Sequence, residues 1–263
     1  MQADVSEMGV SFGTNSSNDR AELWVKSAVL LAPQLLQLQL LGAPCTVESI
    51  DAAHTALGSA AVLKAAFDRH GSDKASVHDY YKLYAALLEP YLGSASAGGA
   101  RPRILEIGIG TNNPDLVSSM GANGRPGASA RAFRDHVSRA DVFAADIDTD
   151  ILFEEDRIRT AFVDQLDAPS FETMHAAFGG EDYDLIIDDG LHSIGANLNT
   201  LLFGIGHVRP GGHVVIEDIR DGTLPLWAVV DTLLARRPDL ETRILKAGSG
   251  SFLYVVRRAA EAL

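Results

Sequence analysis

From Arg103 onward the chain alternates short apolar runs with longer helical patterns, and no other feature constrains its fold as strongly. The runs are Arg103–Ile107, Val142–Ala145, Arg159–Val163, Leu185–Ile187, His213–Ile216 and Phe252–Val256. Runs this short suit strands, and the helical stretches between them suit crossovers, so the pattern implies βαβ units around a parallel sheet buried on both faces. The expected class is α/β, a doubly wound, mostly parallel sheet with helices on both faces. Val208-Arg209-Pro210-Gly211-Gly212 reads as a turn just before a strand.

The first third reads differently. Residues 1–17 are polar and irregular in pattern, and a helix is expected from Arg20, with apolar residues at Leu23, Val25, Ala28, Leu31, Leu35 and Leu38. Thr46 suits the cap of a short helix through His54, and a third helix is expected over Ala60–Arg69. A loop over His70–Lys74 precedes a helix over His78–Leu92. Tyr80, Tyr81 and Tyr84 are expected to pack it, as Trp24 and Trp227 pack elsewhere. Gly93–Pro102 is a Gly/Ser/Ala linker. Two regions follow: residues 1–92, an arm and helical extension serving as lid or oligomerisation element, and residues 101–263, the α/β domain. The extension is too apolar for free exposure, which favours a homo-oligomer or a covered cleft.

Composition narrows the function. The 263 residues carry a formal net charge of −13, a surface that repels phosphate backbones and argues against nucleic acid as partner. Cys45 is the single cysteine, so one chain can build neither a disulfide framework nor a thiolate metal site. The longest apolar stretch, Ala28–Leu41, contains Pro33 and three glutamines and is too short to span a bilayer. With no basic flank and apolar block at the start, a cytoplasmic, membrane-free protein is expected.

The chemistry gathers at the strand ends. The first strand of the domain runs into Leu105-Glu106-Ile107-Gly108-Ile109-Gly110, where glycines let a ligand approach the backbone. Alone this also fits a nicotinamide cofactor. Glu106, however, would repel a pyrophosphate, and the next strand ends in Asp146-Ile147-Asp148, where an acid can hold ribose hydroxyls. S-adenosylmethionine (SAM) carries a sulfonium and an ammonium and no phosphate, so an acidic rim suits it. Asp164 and Gln165 follow the third strand, in reach of an adenine amino group or acting only as loop and cap residues. The fourth strand ends in Asp188-Asp189-Gly190-Leu191-His192 and the next in Glu217-Asp218. Adjacent residues on a strand face opposite ways, so Asp188 and Asp189 should have different partners. Two pairs of acids at one edge repel one another unless a divalent cation with oxygen ligands relieves them. Separate hydrogen-bonding and capping roles are the simpler alternative. His192 suits a general base, since imidazole titrates near neutrality.

The combination His70-Gly71-Ser72-Asp73-Lys74, Leu105-Glu106-Ile107-Gly108, Gly127-Ala128-Ser129, Asp188-Asp189-Gly190-Leu191-His192 and Ile216-Glu217-Asp218 resembles the metal-dependent sugar O-methyltransferases of macrolide and related antibiotic biosynthesis. It is also similar to enzymes that methylate nucleotide-linked deoxysugars. The resemblance covers about residues 67–220 and implies a class I methyltransferase fold. It implies a Mg²⁺ ion, or another divalent metal, held by Asp189, Glu217 and Asp218, with His192 as base. It also implies that Ser129 and the loop carrying Ser72 and Lys74 lie near the methionine end of SAM. Glu106, Gly108, Asp146, Asp164, Gln165 and Asp188 complete the expected cofactor side. Residues 111–130 form a longer insertion than the family pattern, and the first 66 residues match no known part of it. The expected activity is methyl transfer to a sugar hydroxyl of a natural product or its nucleotide-linked precursor. Catechol-type O-methylation, a SAM-binding protein without turnover and a nicotinamide oxidoreductase stay open.

Overall fold

The computed structural model describes residues 46–51, 58–93 and 100–260. The arm, the expected helix from Arg20 with Trp24, and the end of the expected Thr46–His54 helix lie outside the described residues. Where that second helix was expected to start, the chain instead forms a short strand, β1 (Val47–Ser49), parallel to a strand almost two hundred residues later. Three residues carry too little local preference to decide their own state, so the unsatisfied sheet edge decides it.

Helices α1 (Gly58–His70), α2 (Asp73–Ser76) and α3 (Tyr81–Leu88) follow, then a 3₁₀ turn at Glu89–Tyr91. The expected loop at His70–Lys74 is therefore partly helical: the Ser72 side chain caps α2 by accepting from Lys74 N. The domain continues as β2 (Arg103–Ile107), α4 (Ala128–His136), β3 (Asp141–Asp146), β4 (Glu154–Glu155), β5 (Ile158–Phe162), α5 (Ala168–Ala177), β6 (Tyr183–Asp188), α6 (Ile194–His207), β7 (Val208–Ile219), α7 (Leu224–Leu234), β8 (Leu240–Lys246) and β9 (Phe252–Arg258).

The sheet has nine strands in the order β1-β8-β9-β7-β6-β2-β3-β5-β4. β9 and the two-residue β4 run against their neighbours, and every other pairing is parallel. The expected turn at Val208–Gly212 is instead the irregular start of β7: between Tyr183↔Val208 and Leu185↔His213 the register shifts, with Gly211 at φ 84°. β8 escaped the sequence reading because Leu240-Glu241-Thr242-Arg243 mixes charges into a strand that lies near the sheet edge.

One side of the sheet packs Leu63, Phe67, Tyr84 and Phe133 of α1, α3 and α4 over Ile104, Leu185 and Val215. The other packs Phe171, Met174, Leu201 and Trp227 over Leu105, Ile186 and Val214. This alternation fixes where the charged residues at the strand ends point. Glu106 lies two residues beyond Ile104, Asp189 two beyond Ile187, and Glu217 two beyond Val215, so all three face the α1–α3–α4 side. Asp188 shares the parity of Ile186 and faces the other side. The strands concerned, β7, β6 and β2, are neighbours, so three acids form a row on one face at the carboxyl edge. No helix among the described residues is long and apolar enough to cross a membrane.

Candidate active site

Lys74 meets this row of acids. Its Nζ donates to Asp189 Oδ2 and to Glu217 Oε2, each at 2.6 Å, and lies 3.5 Å from Glu106 Oε1. The lysine is 1% exposed, an unusual place for an ammonium unless it is paired. Burial opposes its charge, but Asp189, Glu217 and Glu106 outweigh burial and hold its pKa well above the ordinary value. Burial pushes Glu217 well up and Asp189 up, with Lys74 opposing in both cases. Burial also raises Glu106 to about 7, against Lys74 and the Ser129 hydroxyl, which donates to Glu106 Oε2 at 2.7 Å. Sequence reasoning placed Lys74 in a loop beside a ligand. The structure makes it the internal counter-ion of three carboxylates, and no composition or spacing signal announces that.

Two tyrosines expected only to pack do more. The Tyr84 hydroxyl donates to Glu217 Oε1, and the Tyr80 hydroxyl donates to Asp218 Oδ1 at 2.5 Å. Burial and the nearby carboxylates keep both phenols protonated. Asp218 stands apart from the row. Strand alternation would turn it away, but its backbone adopts φ 54°, a left-handed conformation rare outside glycine. That twist brings it to the same side as Asp189. Burial would raise the Asp218 pKa, yet His192, the Tyr80 hydroxyl, His78 and Lys74 together hold it below the ordinary carboxylate value.

His192 shares the strain, at φ 53°. Its Nε2 lies 3.8 Å from Asp189 Oδ1 and 3.7 Å from Asp218 Oδ2, while its buried Nδ1 has no hydrogen-bond partner among the described residues. Asp189, His192 and Asp218 each offer a ligand atom within 4.8 Å of the others. Two residues with left-handed backbones bring their side chains together here, and such backbone strain persists only where its surroundings enforce it.

Around these groups lies a cleft of about 570 Å³, lined among others by Ser72, Lys74, Ser129, Asp189, His192 and Asp218. It continues over Gly108, Gly110, Asp189 and Gly190 into a smaller cavity of about 80 Å³ between the ends of β2, β3 and β5, walled by Asp146, Asp164 and Gln165. The glycine loop between them is tightly packed. Gly108 has φ 87°, and a Cβ there would sit 2.2 Å from the Asp189 carbonyl oxygen. Asp146 accepts from Ile109 N at 2.9 Å and from Asp148 N at 3.0 Å, and it lines the smaller cavity.

The remaining expected site residues have structural partners. Gln165 is a brace: its Nε2 donates to Asp188 Oδ1 and to Thr200 Oγ1, both at 2.9 Å, and its Oε1 accepts from Leu191 N at 2.7 Å. Asp188, fully buried, also accepts from Asn197 Nδ2 at 3.1 Å and from Gly190 N at 3.2 Å. Asp188 and Asp189 thus have different partners, as expected, and Asp188 borders neither cavity. Glu106 lies behind the glycine loop. Asp164 accepts from Leu166 N at 2.9 Å and lines the smaller cavity.

No protein-family model matches the chain. It is 30% identical over 160 residues to the 8-demethyl-8-alpha-L-rhamnosyl tetracenomycin-C 2'-O-methyltransferase of Streptomyces olivaceus, a match covering 60% of this chain and 38% of that protein. It is 35% identical over 119 residues to the mycinamicin VI 2''-O-methyltransferase of Micromonospora griseorubida, covering 44% and 27%. The chain therefore spans well under half the length of the curated relatives it matches. Among solved structures it is similar to the MycE methyltransferase of the mycinamycin pathway in complex with Mg, SAH and mycinamycin VI, with TM-score 0.57 and 22% identity over 75% of this chain and 54% of that one. The chain has the class I methyltransferase fold, and the sequence relatives it matches are O-methyltransferases by name, in keeping with the resemblance of its motifs.

Proposed function

We propose that this chain is a SAM-dependent O-methyltransferase acting on a sugar hydroxyl of a natural product or of a nucleotide-linked deoxysugar. The observation that carries the reading is the meeting of Asp189, His192 and Asp218 within 4.8 Å at the floor of a cleft continuous with the glycine loop. The relatives are O-methyltransferases by their names, and the glycosyl terms in two of those names, rhamnosyl and L-olivosyl, support a sugar as the acceptor.

The residues fit both groups that the reaction needs. Lys74 pairs with Glu106, Asp189 and Glu217 while Asp218 stands beside them, so carboxylates outnumber the lysine at this edge, and hard oxygen donors suit Mg²⁺. Asp189 and Asp218, with Glu217 behind them, would hold it. Asp146 and Asp164 on the smaller cavity, with Gly108 between the two spaces, would hold SAM, its methionine end toward Ser72 and Ser129. When bound, SAM supplies an electrophilic methyl group and the metal supplies a Lewis acid that favours the alkoxide form of the acceptor.

The chain's own residues do the rest. His192 Nε2 takes the hydroxyl proton, and Asp189 and Asp218 on either side orient the ring toward the cleft. Tyr80 fixes the Asp218 carboxylate, and Lys74 and Tyr84 fix Glu217, so the acids stay in position between turnovers. The tightly packed Gly108 turn, between the two cavities, would help align donor and acceptor, and such alignment is a large part of the rate gain. The test is calorimetric titration of SAH, followed by incubation with SAM and a panel of nucleotide-linked and aglycone-attached deoxysugars, read by mass spectrometry. Binding with micromolar-range affinity, weakened at least about tenfold by Asp146→Ala, and gain of one methyl group on a sugar are expected. Absence of SAH binding would overturn the proposal.

A further inference from the structure

A second cluster of metal-ligating side chains lies at the amino edge of β6, on the opposite edge of the sheet from the cleft. His175 stands in the last turn of α5, Asp182 immediately precedes β6, and His207 ends α6. One nitrogen of each imidazole and a carboxylate oxygen of Asp182 lie within 4.8 Å of one another. The two rings are 4.2 Å apart between centroids and inclined at 45°.

The distances do not describe good hydrogen bonds. His207 Nδ1 is 3.4 Å from Asp182 Oδ1, and its Nε2 is 3.4 Å from Glu172 Oε1. An imidazole donating to a carboxylate prefers about 2.7–2.9 Å. Two donors bound tetrahedrally to zinc at about 2.0–2.1 Å stand about 3.3–3.4 Å from each other, which is the separation between His207 and Asp182. The second nitrogen of His207 faces Glu172, and His175 Nδ1 has the Tyr183 hydroxyl at 3.2 Å, so each ring has an outer partner to set its orientation.

The supporting backbone is held as well. Gly179 and Gly180 adopt φ 97° and 68°, and their amides donate to Ala176 O and His175 O, both at 3.0 Å. This closes α5 with a tight turn and delivers Asp182 beside His175. Both histidines sit at helix C-termini, whose partial negative charge favours a cation there.

We propose that His175, Asp182 and His207 form a site for a zinc-type divalent ion that ties the ends of α5 and α6 to the start of β6. Two imidazoles and one carboxylate select a borderline ion such as Zn²⁺ over Mg²⁺, which separates this site from the all-carboxylate centre across the sheet.

The test titrates the chelator-stripped full chain with Zn²⁺ against a chromophoric chelator, in wild type, His207→Gln and Asp218→Asn. One zinc equivalent is expected in wild type and in Asp218→Asn. In His207→Gln it should weaken by at least about a hundredfold, the upper range for loss of even an outer partner. Zn²⁺ should raise the unfolding temperature of the first two proteins and not of the third. Should His207→Gln fail to fold, Asp182→Asn, at a half-buried position just before β6, serves in its place. Equal zinc affinity in wild type and in the folded variant of the cluster, or loss of the zinc in Asp218→Asn instead, would overturn the proposal.

Discussion

Replacing Lys74 by methionine tests the electrostatic design of the site most sharply. Methionine keeps the volume and removes the charge. Asp189 Oδ2, Glu217 Oε2 and Glu106 Oε1, at 2.6, 2.6 and 3.5 Å from the ammonium, would then face one another without a cation. Removing one partner of a buried ion pair costs about 3–5 kcal/mol, because the charge left behind is uncompensated. For a protein of this size each kcal/mol corresponds to about 2–4 °C, so the unfolding temperature should fall by roughly 6–20 °C at pH 8. Acids whose folded pKa is raised bind more protons folded than unfolded, so their penalty builds as pH rises from the unfolded pKa to the raised one, is complete above the raised pKa and is absent only below the unfolded pKa. Burial already raises Glu106 to about 7 and raises Asp189 and Glu217, and loss of Lys74 removes what opposes it. The variant should therefore lose clearly less stability at pH 5 than at pH 8. Thermal and urea unfolding, followed by circular dichroism with excess chelator, measure both quantities. A loss under about 1 kcal/mol at pH 8, or an equal loss at both pH values, would refute the view that one buried ammonium holds three acids together.

Three further outcomes are expected. Gly108→Ala should cost about 2–4 kcal/mol in urea unfolding, since φ is 87° and the new Cβ meets backbone atoms of Asp189 at 2.2 and 2.5 Å; a neutral effect would mean the loop is loose. His192→Ala should lower kcat by on the order of a hundredfold while SAH affinity stays within about twofold, and a near-normal kcat would move proton acceptance to another group. Burial, helped by Arg257, depresses His213 to about 4, so its neutral form is favoured in the fold; stability should fall as pH drops from 6.5 toward 4, by up to about 3 kcal/mol. His213→Gln should flatten that limb of the stability curve measured by urea unfolding, and an unchanged limb would assign it to other groups.

Much of the fold was legible because its strands are nearly pure apolar runs whose first polar residues mark the carboxyl edge. Ile104-Leu105 before Glu106, Ile186-Ile187 before Asp188-Asp189 and Val215-Ile216 before Glu217-Asp218 needed only strand periodicity to locate the site. The opposite directions of Asp188 and Asp189 followed from the same rule. Other features depended on tertiary partners. β1 is a strand only because β8 offers an edge, and β8 hides among alternating charges. Asp218 breaks the periodicity that places its neighbours, through a left-handed backbone that sequence does not encode visibly. Lys74 reads as a loop residue beside a ligand until α2 carries it over three acids, and Tyr80 and Tyr84 read as packing until their hydroxyls find Asp218 and Glu217.

The proposed metal-assisted methyl-transfer site is built from the carboxyl-edge acids and His192. Its most direct measurement is the initial rate of transfer of labelled methyl from SAM to an accepted sugar, by chelator-dialysed protein, before and after addition of Mg²⁺. The expected result is negligible transfer in excess chelator, recovery on adding Mg²⁺, and no recovery in Asp218→Asn. Full transfer in excess chelator, or undiminished transfer by Asp218→Asn, would contradict it.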